Sequence, residues 1–146
     1  MPNKKETFIF VAKKLSGTKI KWAFIGSSNM ELQGMDVVPN DIDILVDFLD
    51  RKIVDALFLE EDVISDLKLR NGEGEEITFL ILGTEVQFCF EYPHGFYSQF
   101  LRNNKFFKVK LGSVEIPCNL LENEIKAYEY LGRKEKAEKV RAFLKK

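Results

Sequence analysis

Two aspartates separated by one residue interrupt an otherwise apolar strand pattern, DIDILVD, at residues 41–47. Because side chains alternate along a strand, Asp41, Asp43 and Asp47 share one face, and Ile42, Ile44 and Val46 share the other. At a rise of ~3.3 Å per residue, Asp41 and Asp43 lie roughly 7 Å apart. Their repulsion, on the order of 2 kcal/mol at an effective dielectric of ~20, becomes an attraction if Mg²⁺ binds between them. Asp41 and Asp43 are therefore candidate metal ligands, and a strand with one solvated face is the alternative.

A glycine and two serines, Gly26, Ser27 and Ser28, follow the apolar run IKWAFI and precede a short helical pattern. Backbone N–H groups at the start of a helix, together with the positive end of its dipole, attract anions. A serine in this position is also a common helix N-cap. The turn is therefore a candidate phosphate-binding site, and its simpler interpretation is a helix cap.

The Gly-Ser-Ser turn and the two aspartates together indicate a more specific chemistry than either motif does alone. A phosphate site just after one strand and a carboxylate pair on the next strand would meet at one end of a sheet. Such a site can hold a triphosphate, neutralise it with Mg²⁺ and align an attacking hydroxyl group. These are the requirements for transferring a nucleotidyl group.

The order apolar-Gly-Ser, then 13 residues from Ser28 to Asn40, then Asp-apolar-Asp-apolar resembles the signature of the polymerase-β-like nucleotidyltransferase superfamily. The tail IPCNLLENEIKAYEYLGRKEKAEKVRAFL is similar to the helical end of small members, where a lysine-bearing helix precedes Gly-Arg-Lys and a last helix. The matching stretches, 20–47 and 116–144, cover about two fifths of the chain. The resemblance implies a small stand-alone member with a single nucleotidyltransferase-like domain over residues 1–146.

The resemblance also implies roles for the residues of the two motifs. Gly26 and Ser27, with Ser28 beside them, would hold the triphosphate of ATP or another nucleoside triphosphate through backbone and hydroxyl contacts. Asp41 and Asp43 would be the catalytic ligands of Mg²⁺. The nucleotide and the metal would thus share one site.

Two basic residues of the tail complete the set that the resemblance implies. Lys126 and Arg133 fall where the family places basic side chains near the phosphates. Each also has a structural interpretation, because Lys126 fits a solvated helix position and Arg133 could complement the C-terminus of a helix. Both remain candidates for nucleotide binding.

A third carboxylate is needed in active members of the family, on a later strand and between apolar residues, as a general base or a second metal ligand. The matching stretch is TEVQFCF, residues 84–90, where the position between apolar residues is Gln87. An amide neither accepts a proton at neutral pH nor binds Mg²⁺ as well as a carboxylate. Glu85 lies two residues earlier on the same face, and a shift of register would bring it into the site. The sequence leaves open which of Glu85 and Gln87 holds the catalytic position.

The elements that position these residues follow from hydrophobic periodicity and from turn residues. The sequence predicts helices over 4–16, 28–33, 49–60, 120–131 and 134–145. It predicts strands over 20–25, 41–47, 63–70, 76–82, 85–91, 106–110 and 114–116. Strands and helices are mixed without βαβ alternation, so we expect an α+β fold with a mixed β-sheet flanked by helices and a C-terminal helical pair.

The composition is that of an ordinary globular protein, with 45% hydrophobic and 31% charged residues and a net charge of −1. Residues 31–91 carry 16 acidic and 4 basic side chains, whereas both ends are basic, a distribution that suits a cation bound with a polyphosphate. There is no apolar run of about 18 residues, no secretory signal pattern, and no disulfide or zinc pattern around Cys89 and Cys118. We therefore expect a cytoplasmic protein without a membrane segment.

Two functions fit these observations. The first is a Mg²⁺-dependent nucleotidyltransferase that moves a nucleoside monophosphate group from a nucleoside triphosphate to an unknown acceptor. The second is a nucleotidyltransferase-fold module that has lost catalysis and binds a nucleotide or a partner protein, in a toxin–antitoxin or regulatory setting, and Gln87 favours it. The resemblance further implies that a second copy or a small partner protein completes the cleft. The sequence leaves open whether the chain is an enzyme.

Overall fold

The computed structural model describes residues 4–146 of the chain. Its helices are α1 (Lys4–Ser16), α2 (Gly26–Leu32), α3 (Arg51–Leu57), α4 (Ser98–Asn103), α5 (Leu121–Tyr130) and α6 (Lys134–Leu144). Its strands are β1 (Trp22–Ile25), β2 (Asp41–Asp47), β3 (Asp62–Lys68), β4 (Gly74–Ile81), β5 (Thr84–Glu91), β6 (Phe106–Leu111) and β7 (Val114–Asn119). None of these helices is long and apolar enough to cross a membrane. The α+β class with a C-terminal helical pair is confirmed.

The strands of the described residues form one mixed sheet in the order β3-β4-β5-β2-β1-β7-β6. β2 pairs in parallel with β5, and β1 pairs in parallel with β7. The other neighbouring strands are antiparallel. Because β2 lies between β1 and β5, the turn that follows β1 and the residues of β5 both come beside the two aspartates.

The two faces of β2 differ as the alternating sequence predicts. Ile42, Ile44 and Val46 are fully buried in the main core, where apolar side chains of α1 and α3 cover the sheet. Asp41 and Asp43 are half-buried on the opposite face. The apolar face thus anchors the strand, and its position in the middle of the sheet fixes where the carboxylates point.

The C-terminal helical pair covers part of the opposite face. α5 and α6 pack with α2 through an apolar cluster of Met30, Met35, Leu121, Tyr128, Ala137 and Val140. Since α2 begins directly after β1, this cluster fixes the Gly-Ser-Ser turn against the end of the chain. The tail is therefore a packing partner of the turn.

Two local features differ from the predicted elements. α4 has six residues, too few for a helical period to be recognised, and ends at Asn104 with a left-handed φ of 54°. The helix predicted over 49–60 is a 3₁₀ turn followed by α3. The side chain of Asp47 accepts a hydrogen bond from the backbone N of Leu49 at 2.8 Å, which caps the 3₁₀ turn and delays the start of the helix.

Candidate active site

The register between β2 and β5 determines where Glu85 and Gln87 lie, the two residues between which the sequence did not decide. Asp41 lies opposite Glu85, and Asp43 lies opposite Gln87. Gln87 lines a cavity together with Asp43, whereas Glu85 is exposed and lies outside that lining. The catalytic roles of Glu85 and Gln87 stay predictions, but the amide rather than the carboxylate is the neighbour of Asp43.

A cavity of about 290 Å³ lies on this face of the sheet, under residues of α5 and α6. Gly26 and Ser27 enter it from the turn after β1, and Asp43 enters it from β2. Arg133 and Lys136 line it from the C-terminal pair. The fold thus joins the predicted phosphate turn, one aspartate of the predicted metal pair and basic side chains in one enclosed space.

The carboxylate of Asp43 has an unusual environment. Its Oδ1 atom is buried and has no hydrogen-bond partner among the described residues. Burial raises the pKa of Asp43 to about 7, and the charge of Asp41 acts in the same direction. Glu76 and Glu124 raise this pKa further, whereas Lys136 lowers it. Because a buried polar atom without a partner is costly, the oxygen is suited to a cationic ligand.

The carboxylates near the cavity fit a metal site that is completed by substrate phosphates better than a site made only of protein side chains. Within residues 4–146, no three histidine, cysteine, aspartate or glutamate side chains are grouped so that they could hold a metal ion. Mg²⁺ commonly binds through one or two protein carboxylates and completes its shell with substrate phosphates and water. Asp41 and Asp43 on one strand face, with the unpartnered Oδ1, fit this second arrangement.

Gly26 makes room for the Asp43 carboxylate. Its backbone φ is +69°, a left-handed value that residues with a Cβ atom rarely adopt. A Cβ atom at this position would also lie 2.9 Å from Oδ2 of Asp43, too close for an undisturbed contact. The glycine of the Gly-Ser motif is therefore needed both for the turn and for the close approach of the aspartate.

A buried glutamate from α5 holds the same turn. Oε2 of Glu124 accepts a hydrogen bond from the backbone N of Gly26 at 2.7 Å, and Oε1 accepts one from Nδ2 of Asn119 at 2.6 Å. Glu124 is fully buried, which raises its pKa to about 7. The Gly26 amide is thus already paired inside the protein. A contact between the Gly26 amide and a phosphate stays a prediction. The hydrogen bond from this amide to Glu124 does not favour it.

Glu124 is not among the residues that the family motif indicates, although the sequence holds a signal for it. It lies on the buried face of α5, with Leu121 three residues before it and Ala127 and Tyr128 three and four residues after it. A glutamate within such an apolar stripe is unusual, because charged residues are almost never fully buried unless they are paired. Its partners, however, come from distant parts of the chain.

The two serines of the turn have different surroundings. Ser27 lines the cavity, as does Tyr128. Ser28 is fully buried, and its hydroxyl donates to the backbone O of Ile25 at 3.3 Å and accepts from the backbone N of Asp43 at 3.2 Å. Ser28 therefore ties the turn to β2. Its predicted contact with a phosphate stays a prediction, whereas Ser27 is placed for such a contact.

The two predicted basic residues, Lys126 and Arg133, differ in their position relative to the cavity. Arg133 lines the cavity, whereas Lys126 is exposed on α5 and lies outside the lining. Lys136 lines the cavity although the motif does not indicate it, and it follows Arg133 by three residues in the region where α6 begins. Nucleotide binding by Lys126 stays a prediction, and the position of this residue outside the cavity lining does not support it. Positive charge at the cavity comes instead from Arg133 and Lys136.

The far wall of the cavity is aromatic and acidic. The rings of Phe96 and Tyr130 stack with centroids 4.2 Å apart and planes 13° apart. Glu73 joins them, because its Oε1 accepts from the backbone N of Phe96 at 2.6 Å and its Oε2 accepts from the Tyr130 hydroxyl at 2.7 Å. Glu91 accepts from the backbone N of Tyr97 at 2.8 Å, and burial raises its pKa to about 7. Hydrogen bonds to Glu73 and Glu91 thus hold this wall, which carries the stacked rings of Phe96 and Tyr130.

The buried carboxylates predict how stability depends on pH. Asp43, Glu91 and Glu124 have pKa values of about 7 in the folded protein, against roughly 4 in an unfolded chain. The folded state thus binds more protons between these values, so the free energy of unfolding falls as pH rises from about 4 to about 7. We expect the metal-free protein to be about 4–6 kcal/mol more stable at pH 5.5 than at pH 8, because each of the three carboxylates contributes up to roughly 2 kcal/mol over this interval. Urea unfolding in the presence of a chelator measures this difference.

The variant Asp43→Asn provides the check on this pH dependence. It removes one titrating group, so the difference in stability between pH 5.5 and pH 8 should become smaller. Asp36→Asn, which changes an exposed carboxylate outside the lining of this cavity, serves as the comparison. A protein that is equally stable at both pH values would contradict the predicted burial of these carboxylates.

Comparisons with known proteins concern the fold of the chain. No family model and no curated protein matches the chain. A crystal structure of a Thermotoga maritima protein, TM1012, assigned to the nucleotidyltransferases is similar over 99% of this chain and 96% of that one, with a TM-score of 0.70 and 25% identity.

Two further solved structures share the fold at 14% identity. One is the antibiotic-resistance factor ANT(2'')-Ia, similar over 99% of this chain and 86% of that one with a TM-score of 0.64. The other is an antigenic nucleotidyltransferase-like protein from Paracoccidioides brasiliensis, similar over 94% and 72% of the two chains with a TM-score of 0.54. Together with the Gly-Ser turn and the paired aspartates of β2, these likenesses identify the fold. The chain has the fold of the polymerase-β-like nucleotidyltransferase superfamily.

Proposed function

We propose that this protein is a Mg²⁺-dependent nucleotidyltransferase that transfers a nucleoside monophosphate group from a nucleoside triphosphate to a hydroxyl or another acceptor. The observation that carries the proposal is the buried, unpartnered Oδ1 of Asp43 in a cavity that Ser27 and Arg133 also line. A carboxylate that lacks a partner suits a cation, and the serine and arginine beside it suit phosphate oxygens. One ligand satisfies both requirements, a nucleoside triphosphate with its divalent cation.

Residues in and next to the cavity would divide the work of binding. Ser27, Asp43, Arg133 and Lys136 line the cavity, whereas Asp41 and Glu124 lie outside its lining. Asp41 and Asp43 would hold Mg²⁺, which when bound neutralises charge on the phosphates. Arg133 and Lys136 bring positive charge to the same space, where it opposes the charge of the remaining phosphate oxygens. Ser27 offers its hydroxyl group at the end of β1. Glu124 keeps the turn in place through the Gly26 amide.

The transfer itself requires positioning more than covalent chemistry by the protein. The acceptor oxygen forms a bond to the α-phosphorus, the bond from that phosphorus to the bridging oxygen breaks, and pyrophosphate leaves with the bonding electrons. The proton of the acceptor hydroxyl passes to solvent water as the new bond to phosphorus forms. Phe96 and Tyr130 offer a stacked aromatic surface for a planar or apolar part of either substrate.

A second function is favoured by one observation. Gln87 rather than a carboxylate lies opposite Asp43, and an amide is a poor substitute for a general base. The alternative is a nucleotidyltransferase-fold module that binds a nucleotide or a partner protein without transfer. Pyrophosphate release from ATP, GTP, CTP or UTP in the presence of Mg²⁺ and a panel of hydroxyl acceptors would exclude this alternative.

Calorimetric titration of ATP with Mg²⁺ tests the proposed function directly. We expect the double variant Asp41→Asn with Asp43→Asn to lower the affinity at least tenfold, because both proposed metal ligands lose their charge. Glu85→Gln is the matched control, since it removes a carboxylate from the same sheet face outside the cavity, and its affinity should stay within twofold. Equal affinity of the wild type and the double variant would overturn the proposal.

A further inference from the structure

Strand β4, which pairs with β5 beside Gln87, brings another carboxylate to the cavity. Gln87 lies opposite Thr78, and the next residue of the same face on β4 is Glu76, opposite Cys89. Because alternate residues of a strand share a face, Glu76 points to the same side of the sheet as Asp43. Glu76 lines the cavity together with Asp43 and Gln87, as expected from the pairing of β4 with β5.

Glu76 differs from the other glutamates of the cavity in its partners. Both oxygens of Glu73 accept hydrogen bonds, from the backbone N of Phe96 and from the Tyr130 hydroxyl. Glu91 accepts a hydrogen bond from the backbone N of Tyr97. Within the part of the chain that the structure describes, Glu76 has neither a hydrogen-bond donor nor a basic partner in an ion pair. Glu73 and Glu91 are thus built into the wall, and Glu76 is left to face the cavity.

The charge of Glu76 acts on Asp43. The two carboxylates repel each other, and Oδ1 of Asp43 has no donor among residues 4–146. Neighbouring strands lie ~4.8 Å apart, so roughly 10 Å separates the backbones of β2 and β4, and the longer side chain of a glutamate shortens the gap. A cation between the two carboxylates would turn their repulsion into attraction.

We propose that Glu76 and Asp43 together form the pair of carboxylates that holds a divalent cation in this cavity, so that β4 supplies the negative charge that β5 lacks at Gln87. Glu76 and Asp43 face the same divalent cation from two sides of the cavity, with Gln87 between them. This inference rests on the proposed function, because it concerns the same cation. It also assigns Glu85 no part in binding the cation, since that residue is exposed beside Asp41.

The test uses Mn²⁺ alone as the probe and measures its binding to the full chain by electron paramagnetic resonance. We expect Glu76→Gln to weaken Mn²⁺ binding at least fivefold and Asp43→Asn to weaken it at least tenfold. Glu85→Gln is the matched control and should stay within twofold of the wild type. Adding Gln87→Glu to the Glu76→Gln protein should restore most of the lost affinity, because it returns a carboxylate to the strand beside Asp43.

A measurement on the wild-type protein removes any dependence on how the variants fold. Bound Mn²⁺ should broaden the side-chain carboxyl resonance of Glu76 more strongly than that of Glu85. Equal broadening of both, or Mn²⁺ affinity in Glu76→Gln equal to that in Glu85→Gln while Asp43→Asn still binds weakly, overturns the inference and leaves the proposed function standing. If Asp43→Asn binds Mn²⁺ as the wild type does, the proposed function fails and the inference fails with it.

Discussion

Replacing Glu124 with alanine is expected to lower the free energy of unfolding by about 3 kcal/mol. The fully buried carboxylate accepts hydrogen bonds from the backbone N of Gly26 and from Nδ2 of Asn119. Its removal leaves one buried donor, Nδ2 of Asn119, and one partly buried donor, the Gly26 amide, without acceptors at a cost of roughly 1–3 kcal/mol each, and it creates a cavity in addition. Urea or thermal unfolding measures the loss.

Glu122→Ala is the matched control for this prediction. Glu122 lies in the same first turn of α5 but is exposed, and we expect its loss to change stability by about 0.5 kcal/mol. The contrast between the two variants separates the buried hydrogen bonds from the effect of an acidic residue near a helix N-terminus. If both variants were equally stable, the role assigned to Glu124 as the support of the turn would be wrong.

Replacing Gly26 with alanine is expected to weaken Mn²⁺ binding at least tenfold and to destabilise the protein by about 1–2 kcal/mol. The backbone at Gly26 has a φ of +69°, and a Cβ atom there would meet Oδ2 of Asp43 at 2.9 Å. The alanine therefore strains the turn and displaces the carboxylate that we propose as a metal ligand. Electron paramagnetic resonance of Mn²⁺ and urea unfolding measure the two effects separately.

Gly72→Ala isolates the contact with Asp43 from the backbone strain. Gly72 has a similar φ of +72°, and a Cβ atom there would meet nothing within 4 Å. We expect this control to lose stability by a comparable amount, about 1 kcal/mol, and to bind Mn²⁺ as the wild type does. Loss of Mn²⁺ binding in both variants would show that strain alone, and not the aspartate contact, explains the effect of Gly26→Ala.

The local patterns of the sequence predict the elements of this site well, and the reason is physical. The alternation in β2 follows from the two-residue repeat of a strand, so the burial of Ile42, Ile44 and Val46 and the opposite orientation of the aspartates are both confirmed. The α+β class follows from the mixture of two periodicities along the chain. α4 escapes prediction because six residues are too few to show a period.

The neighbours of the aspartates cannot be predicted in the same way. Gln87 rather than Glu85 lies beside Asp43 because of the register between β2 and β5, which are separated by β3 and β4 in the chain. A shift of one residue would reverse every side chain of the strand, and no local pattern specifies which residue of β5 faces which residue of β2. Glu76 comes to the cavity through a second register, between β4 and β5.

By itself, the sequence determined the class of fold, the strand that carries Asp41 and Asp43, and the turn that carries Gly26 and Ser27. These are properties of short segments, where backbone geometry and side-chain periodicity act over a few residues. Only the tertiary structure decided that Glu124 pairs with the Gly26 amide, because this hydrogen bond joins residues 98 positions apart. Contacts of that kind depend on packing and strand register across the whole chain, and they select the residues that surround a site.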